Sequence, residues 1–291
     1  NCFSITTGHQ LNLFGSTQYF IYKIIEVIKY SQTLKTLHPE YDFVPVFWLA
    51  SGDHDFEEIS FAKIDGKKYQ WKTNEVGPVG RFDPNAVLEI VNELSPFWES
   101  EQHTGSYLKE LFTKAYSKPS LSEATRFWTH EIFKKYGLVI IDGDDKALKN
   151  EFKPVVKNEI FNEVTLANVE QTNAYLTAQE YHTQVHARPI NMFLITDKGR
   201  ERIVKLNDCF ATTESEKTYS FEEMEELIDT KTELFSPNAL MRPMYQESIL
   251  PNLSYVGGAG EIAYWLQLKT AFEAHGVFYP QVISRNSAIW L

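Results

Sequence analysis

Two stretches of the chain run apolar almost without alternation: "YDFVPVFWLAS" at residues 41–51 and "GLVIIDGDD" at 137–145. A strand with one wet face alternates, whereas a strand covered on both faces does not, and such strands belong to parallel sheets with helices on either side. Acidic residues follow each run, at the strand end where open α/β sheets place their ligands. Ahead of the first run lie the β-prone "CFSITT" and the segment "TQYFIYKIIEVIKYSQTL", with Tyr19, Tyr22, Ile25 and Ile28 at helical spacing. Strand, helix, strand at this spacing predicts a βαβ unit, with Ser16 or Thr17 capping the helix. Pro45 carries no ladder donor, so it must start its strand or lie at an edge.

From about Phe61 to Lys135 the texture changes: turns at "DGKK", "VGPVG" and "DPNA" precede the helical "SYLKELFTKAYSK" and "SEATRFWTHEIFKKYG". This predicts an insertion between sheet strands. Residues 146–178 read as helical, with Pro154 at a break or first turn. "INMFLITDKGRERIVKL" reads as a hairpin around Asp197-Lys198-Gly199, and "SFEEMEELIDT" as a helix begun by Ser220 with Glu223 placed for a capping box. "GEIAYWLQLKTAFEAHG" predicts one helix ending at Gly276, and "VFYPQVIS" a final strand. The expected division is 1–60 as the first half of the core, 61–135 as the inserted module, 136–196 as the core's return with a helical segment, 197–235 as a small second insertion, and 236–291 as the last helices and strand.

At 291 residues, 43% apolar and 23% charged, the chain can bury a sizeable core. Its net charge of -11 argues against nonspecific binding to nucleic acid or an anionic membrane, which needs a basic face. A small anionic ligand is still open to it, because a few arginines in one cleft suffice. Two cysteines, Cys2 and Cys209, are too few for a disulfide framework or a thiolate zinc site, and fit reduced thiols in a cytoplasmic protein. The chain begins without Met and ends at "SAIWL" without a cap, as a piece of a longer protein would.

Four stretches can carry chemistry. Thr6-Thr7-Gly8-His9 fits a Thr/His-x-Gly-His pattern between a strand and a helix. There glycine lets a phosphate approach, the helix start offers free N–H groups, and histidine can donate to a phosphate oxygen as charge builds. The competing reading is a strand-ending turn with a surface histidine. In "SGDHDFEE", Asp53, His54 and Asp55 could hold Mg²⁺ or a substrate amine, or simply cap the next helix; Asp53 and Asp55 would point the same way if the strand continued. Arg188 and Arg242 each precede a proline, which restricts them to extended conformations and suits bidentate binding of carboxylate or phosphate. Either could equally form a surface ion pair. Gly257 and Gly258 open a glycine-rich turn before a helix, a second anion cradle without the lysine of a P-loop. Glu261 there is either a cap or a ligand, and Tyr264 and Trp265 are core or pocket wall. No nucleophile elbow or zinc-protease motif is present.

Taken in order, "TGHQLNLFGSTQYFIYKIIEVIK", "VPVFWLASGDHDFEEI", "GLVIIDGDD", "RPINMFLI", "FSPNALMRPMYQESILPNLSYVGGAGEIAYWLQLK" and "PQVISRNSA" resemble the bacillithiol biosynthesis cysteine-adding enzymes over nearly the whole chain. The resemblance implies an α/β fold with a Rossmann-like parallel sheet core, like that of class I synthetases and nucleotidyltransferases, interrupted by connecting-peptide modules. It also implies a ligase-like addition of L-cysteine to the amine of glucosaminyl malate. A free carboxylate is a poor electrophile, so ATP, with Mg²⁺, is expected to activate the cysteine carboxylate. His9, Asp53, His54 and Asp55 would be catalytic, with Asp53 and Asp55 the metal positions. Thr7, Gly8, Gln10, Asn12, Gly257, Gly258 and Arg285 would meet nucleotide or phosphate. Tyr22, Lys23, Arg188, Asn191, Arg242, Tyr245, Gln246 and Glu261 would face the substrates. Two departures stand out. The family's C-terminal coiled coil, through which the full-length protein could form a homodimer, has no heptad run here. The basic second nucleotide signature is missing, with Ser284-Arg285-Asn286-Ser287 at its position. A nucleotidyltransferase of other specificity, or a noncatalytic nucleotide- or sugar-binding domain, are the alternatives. A ligase site built this way needs the Thr6–His9 stretch to lie beside the Asp53–Asp55 loop in one cleft, into which Arg188 and Arg242 also project rather than face solvent.

Overall fold

The computed structural model describes residues 1–99 and 104–287, and the chain divides into two compact units. One is Thr7–Asp142; the other joins Asn1–Thr6 to Gly143 and the residues after it.

The Thr7–Asp142 unit takes the last three residues of strand β1 (Cys2–His9), then helix α1 (Gln18–Leu37), β2 (Asp42–Leu49), α2 (Phe56–Ile59), the hairpin β3 (Phe61–Ile64) and β4 (Lys67–Gln70), helices α3 (Val87–Glu99), α4 (Gly105–Tyr116) and α5 (Leu121–Phe133), and β5 (Val139–Asp142). Its parallel strands lie in the order β1-β2-β5, with Val46 opposite Val139 through Leu49 opposite Asp142. Everything between β2 and β5 in sequence leaves the sheet and returns to it. Pro45 sits just before the paired stretch, so its missing N–H costs β5 nothing. Residues Pro45–Leu49 are all buried, as the unbroken apolar run requires.

The buried stripe of α1 is Phe20, Lys23, Ile24, Val27 and Ile28, while Tyr19 and Ile25 are exposed. Of the spaced residues Tyr19, Tyr22, Ile25 and Ile28, only Ile28 is buried and Tyr22 half-buried, so most of the buried face lies one position on. The helix is apolar on more than one face, and periodicity alone admits both registers; the one that puts Phe20 against Phe47 and Trp128, with ring centroids 4.8 Å apart in each case, wins. Gly15 just before it has φ +63°, and a Cβ there would meet Trp128 at 3.0 Å, so both backbone and space demand glycine.

In the other unit, β1 gives its first residues to a parallel array β12-β11-β1. After Gly143 come α6 (Lys146–Glu151), α7 (Lys153–Asn162), α8 (Val164–Ala178), β6 (Met192–Thr196), β7 (Gly199–Leu206), β8 (Cys209–Thr212), β9 (Thr218–Tyr219), α9 (Phe221–Thr230), β10 (Phe235–Pro237), α10 (Met241–Ile249), β11 (Asn252–Gly257), α11 (Ala259–Leu266), α12 (Lys269–His275) and β12 (Gln281–Ser284). An antiparallel sheet in the order β10-β6-β7-β8-β9 holds the predicted hairpin as β6 and β7. Pro154 lies in the first turn of α7, where its missing N–H has no helical partner to lose. The capping box of α9 forms as read: Ser220 Oγ accepts from Glu223 N at 3.1 Å and Glu223 Oε2 accepts from Ser220 N at 2.7 Å.

The last long helix is a correction. It breaks into α11 and α12 around buried Gln267, whose Oε1 takes the backbone N–H groups of Gln184 and Val185 at 2.7 and 3.1 Å. Gly276 ends α12 at φ +68°, the left-handed cap that its sequence position predicts. Among the described residues no helix is long and apolar enough to cross a membrane.

Candidate functional site

The clearest constellation lies in the Thr7–Asp142 unit, at the C-terminal end of β1. Gly8 and His9 are strand residues rather than the turn expected after it; the chain leaves the strand only at Gln10. Thr7 and Gly8 are buried, and the Gly8 carbonyl accepts from Lys23 Nζ at 2.9 Å. Lys23 is itself buried, so its ammonium ties α1 to β1. Tyr22, the neighbouring position on α1, is half-buried.

His9 is held at both ring nitrogens. Nδ1 lies 3.1 Å from the Gln10 carbonyl, which can only accept, so Nδ1 carries a proton. In the neutral ring Nε2 is then an acceptor, and Thr17 Oγ1 stands 3.1 Å away to donate. The ring also packs against Phe20, with centroids 5.5 Å apart. Thr17 does occupy the N-cap of α1, yet its hydroxyl makes no capping bond and serves His9 instead. An N-cap threonine eight residues after a histidine carries no signal of this in sequence.

The Asp53 loop does lie beside this strand end. Ala50 N donates to the His9 carbonyl at 3.1 Å, and Gln10 Nε2 reaches Asp53 Oδ2 at 3.3 Å and Glu58 Oε2 at 2.7 Å. Asn12 is buried, donates to the Glu58 carbonyl at 3.3 Å, and keeps an Oδ1 with no hydrogen-bond partner. Gln10 thus bridges the two stretches, and Glu58 joins them, a residue that no motif singles out.

Because β2 ends at Leu49, the condition for Asp53 and Asp55 to follow strand alternation, that the strand continue, is not met. Asp53 Oδ1 accepts from His54 N at 2.8 Å, and Asp55 stands at the N-cap of α2 without a side-chain capping bond. The His54 ring lies between the two carboxylates, Nδ1 3.5 Å from Asp53 and Nε2 3.7 Å from Asp55. One donor atom from each of the three falls within 4.8 Å of the others. A cleft of about 310 Å³ lined by His54, Asp55, Phe56, Glu57 and Glu58 opens next to them. Two carboxylates beside open space suit a hard cation that keeps several waters, and the acidic lining would repel a bare phosphate.

The loop is clamped from below. Ser51 Oγ and Ser122 Oγ donate to the two oxygens of Asp142 at the end of β5. On the other side Gly80 N donates to Ser51 O at 2.9 Å and Val79 N to Asp53 O at 2.8 Å. A Cβ on Gly80 would lie 2.5 Å from Ser51 Cβ and 2.9 Å from its carbonyl oxygen. Gly80→Ala is therefore expected to destabilise the protein by roughly 1–3 kcal/mol, the usual cost of overpacking, with the 51–53 loop pushed outward. Urea unfolding checks this, and an unchanged midpoint would show that the loop yields freely.

The second unit supplies the other candidates. Gly258 caps α11, and its N–H donates to Glu261 Oε2 at 2.8 Å while Tyr255 OH donates to Oε1 at 2.6 Å. Of the two roles left open for Glu261, the geometry is that of a cap. A carboxylate already in the mouth of the turn weakens it as an anion cradle, so cationic character here comes from Arg285. That side chain lies over Gly258, with Nε 3.4 Å from where a Cβ would be, and the Arg285 backbone N–H donates to Gly257 O at 2.9 Å. Trp265 is buried and stacks on Tyr255, centroids 4.4 Å apart; it is core. Arg242 lies in the first turn of α10, helical rather than extended as expected, since Pro243 is tolerated in a first turn. It donates to Gln246 Oε1 at 3.0 Å, stands 5.6 Å from the Tyr255 ring centroid, and has a buried Nη2 without a hydrogen-bond partner. Tyr245 and Gln246 are buried on α10. Arg188 is exposed, and its backbone is gripped by buried Asn191, which accepts from Arg188 N at 3.0 Å and donates to Arg188 O at 2.7 Å.

Residues 1–286 match the family model described as bacillithiol biosynthesis BshC, N-terminal Rossmann-like domain. Relatives bearing the name "Putative cysteine ligase BshC" include one from Flavobacterium johnsoniae, 44% identical over 99% of this chain and 54% of its own length. One from Cytophaga hutchinsonii is 42% identical over 97% and 52%, and one from Staphylococcus carnosus 30% over 98% and 55%. The chain spans about half the length of the curated relatives it matches.

Proposed function

Since the chain belongs to the BshC family of bacillithiol biosynthesis, with the Rossmann-like fold of its N-terminal domain, we propose that it carries the chemical site of a cytoplasmic ligase joining L-cysteine to the amine of glucosaminyl malate. A free carboxylate is a poor electrophile, so ATP, with Mg²⁺, activates the cysteine carboxylate before the amine attacks. The observation that supports this reading most directly is the hydrogen-bonded set His9, Gln10 and Asp53, with Thr17 fixing the imidazole. In it His9, Thr7 and Gly8 meet the nucleotide phosphates, with Gln10 and Asn12 alongside. Asp53 and Asp55 would supply the oxygens for Mg²⁺, whose charge when bound would let phosphate approach an acidic loop. His54, between them, faces the incoming amine and takes its proton. Arg188, Arg242 and Arg285 meet the malate carboxylates and phosphate, since two carboxylates on the acceptor call for more than one cation. A homodimer would be built by parts of the full-length protein beyond this chain.

The test supplies full-length protein with Mg-ATP, L-cysteine and glucosaminyl malate, and looks for the cysteinyl product by mass. Cysteine-dependent ATP consumption with that product is expected. Pyrophosphate release with a nucleotidyl product would instead make this a nucleotidyltransferase, and tight binding without turnover a noncatalytic domain.

A further inference from the structure

Glu159, on α7, is a carboxylate with no solvent exposure and every lone-pair direction in use. Oε1 accepts from Asn191 N at 2.9 Å and Asn191 Nδ2 at 2.8 Å. Oε2 accepts from Thr165 N at 3.1 Å and Thr165 Oγ1 at 2.6 Å, with buried His275 Nε2 at 3.5 Å. Burial pushes the carboxyl's pKa up, but the bonds from His275, Thr165 and Asn191 outweigh it and hold the group ionised, below its ordinary value. Nothing in the chemistry sketched above uses this residue.

What Glu159 anchors is a relay. Asn191 spends its side-chain amide on both sides of Arg188, and its Oδ1 also accepts from Asn238 Nδ2 at 3.0 Å. The Asn191 carbonyl accepts from Asn238 N at 3.1 Å. Asn238 in turn caps the approach to α10: Oδ1 accepts from Leu240 N at 2.9 Å and Met241 N at 3.1 Å, and its carbonyl accepts from Arg242 N at 2.9 Å. The two Arg-Pro dipeptides, 54 positions apart by number (242 minus 188), thus hang from one buried amide.

We propose that Glu159 is a positioning residue for acceptor binding: through Asn191 and Asn238 it fixes the backbones of Arg188 and Arg242, so that both guanidinium groups stand where a dicarboxylate ligand needs them. This rests on the proposed function, in which those arginines meet the malate carboxylates. A buried ionised carboxylate is a poor device for stability alone, since well-packed apolar groups often do as well or better. Its use here is directional: an ionised carboxylate accepts at both oxygens, so Glu159 takes two donors from Thr165 and two from Asn191 at once.

The experiment measures steady-state kinetics of the full-length protein for each substrate separately. Glu159→Gln keeps size and replaces one acceptor oxygen by a donor. It is expected to raise KM for glucosaminyl malate about tenfold, the effect of one displaced charge-assisted contact, with KM for ATP and cysteine and kcat near wild type. A matching rise in all three KM values with a fall in kcat would mark a general structural role and overturn the proposal. Should Glu159→Gln fail to fold, Asn238→Asp decides. It keeps the Oδ1 cap of α10 and removes only the donor to Asn191, and an unchanged acceptor KM there overturns the proposal. Arg188→Ala and Arg242→Ala separate the two layers. If they raise acceptor KM while folded Glu159→Gln does not, the positioning role fails and the functional reading stands; if neither moves it, the functional reading fails first.

Discussion

His9→Ala in the full-length protein is expected to lower kcat for amide formation by about two orders of magnitude or more, the usual contribution of a positioned proton or charge donor. The imidazole is not a passive wall. Its Nδ1 proton is committed to the Gln10 carbonyl, its Nε2 faces Thr17, and Phe20 holds the ring plane. In the proposed reaction, truncation removes an imidazole placed to donate towards developing phosphate charge, while the Lys23 ammonium stays on the Gly8 carbonyl. It leaves Gln10 and its bonds to Asp53 and Glu58 in place. Asp53→Asn should also lose most turnover, because the amide keeps the shape but not the charge that the proposed Mg²⁺ site calls for. Single-turnover product formation by mass, with circular dichroism to confirm folding, reads both variants. Turnover at the wild-type rate in both would take this end of β1 out of the mechanism.

Glu247→Gln is expected to stabilise the protein at alkaline pH and to flatten its pH dependence. Glu247 is buried on α10, with Oε1 accepting from Gln246 Nε2 at 2.6 Å and Asn252 Nδ2 at 2.9 Å and Oε2 without a partner. Burial pushes its carboxyl up to about 8, against an ordinary value of 4.5, although Gln246, Asn252 and Arg242 pull the other way. The folded protein therefore keeps a proton that the unfolded chain releases near 4.5. Between these values the folded state binds more protons, so stability falls as pH rises, by about 1.4 kcal/mol per pH unit. The loss is complete above the folded value, and absent below the unfolded one. Glutamine cannot ionise and retains the Oε1 contacts. Urea unfolding of both proteins at pH 5 and pH 8 should show a gap widening by roughly 3–4 kcal/mol. A gap that stays constant would mean that Glu247 is ionised in the fold.

Much of the framework was legible because it rests on local rules. Unbroken apolar runs gave β2 and β5, the Asp197-Lys198-Gly199 turn gave the β6–β7 hairpin, and Ser220 with Glu223 gave the start of α9. Rules that depend on partners failed. The phase of α1 was set by Phe47 and Trp128, which periodicity within the helix does not see. The break after α11 was set by Gln267 reaching the backbone at Gln184 and Val185. The candidate site divides the same way. Gly8, His9 and the Asp53–Asp55 triplet stand out as letters in a row, and Gln10 joins the two stretches. Thr17, Glu58, Glu159 and Asn238 matter only through side chains met across the fold, and their neighbours in sequence say nothing of it.

Asp142 receives one serine from the loop after β2 and another from α5, within the long excursion between β2 and β5. That excursion is consequently a buttress rather than an ornament. Anyone trimming the protein to a minimal sheet, or exchanging the excursion with a distant homologue's, would have to carry over Ser122 and the Val79-Gly80 pair or lose the footing of Asp53. Transplants that keep those three residues should tolerate wide variation elsewhere in the helices.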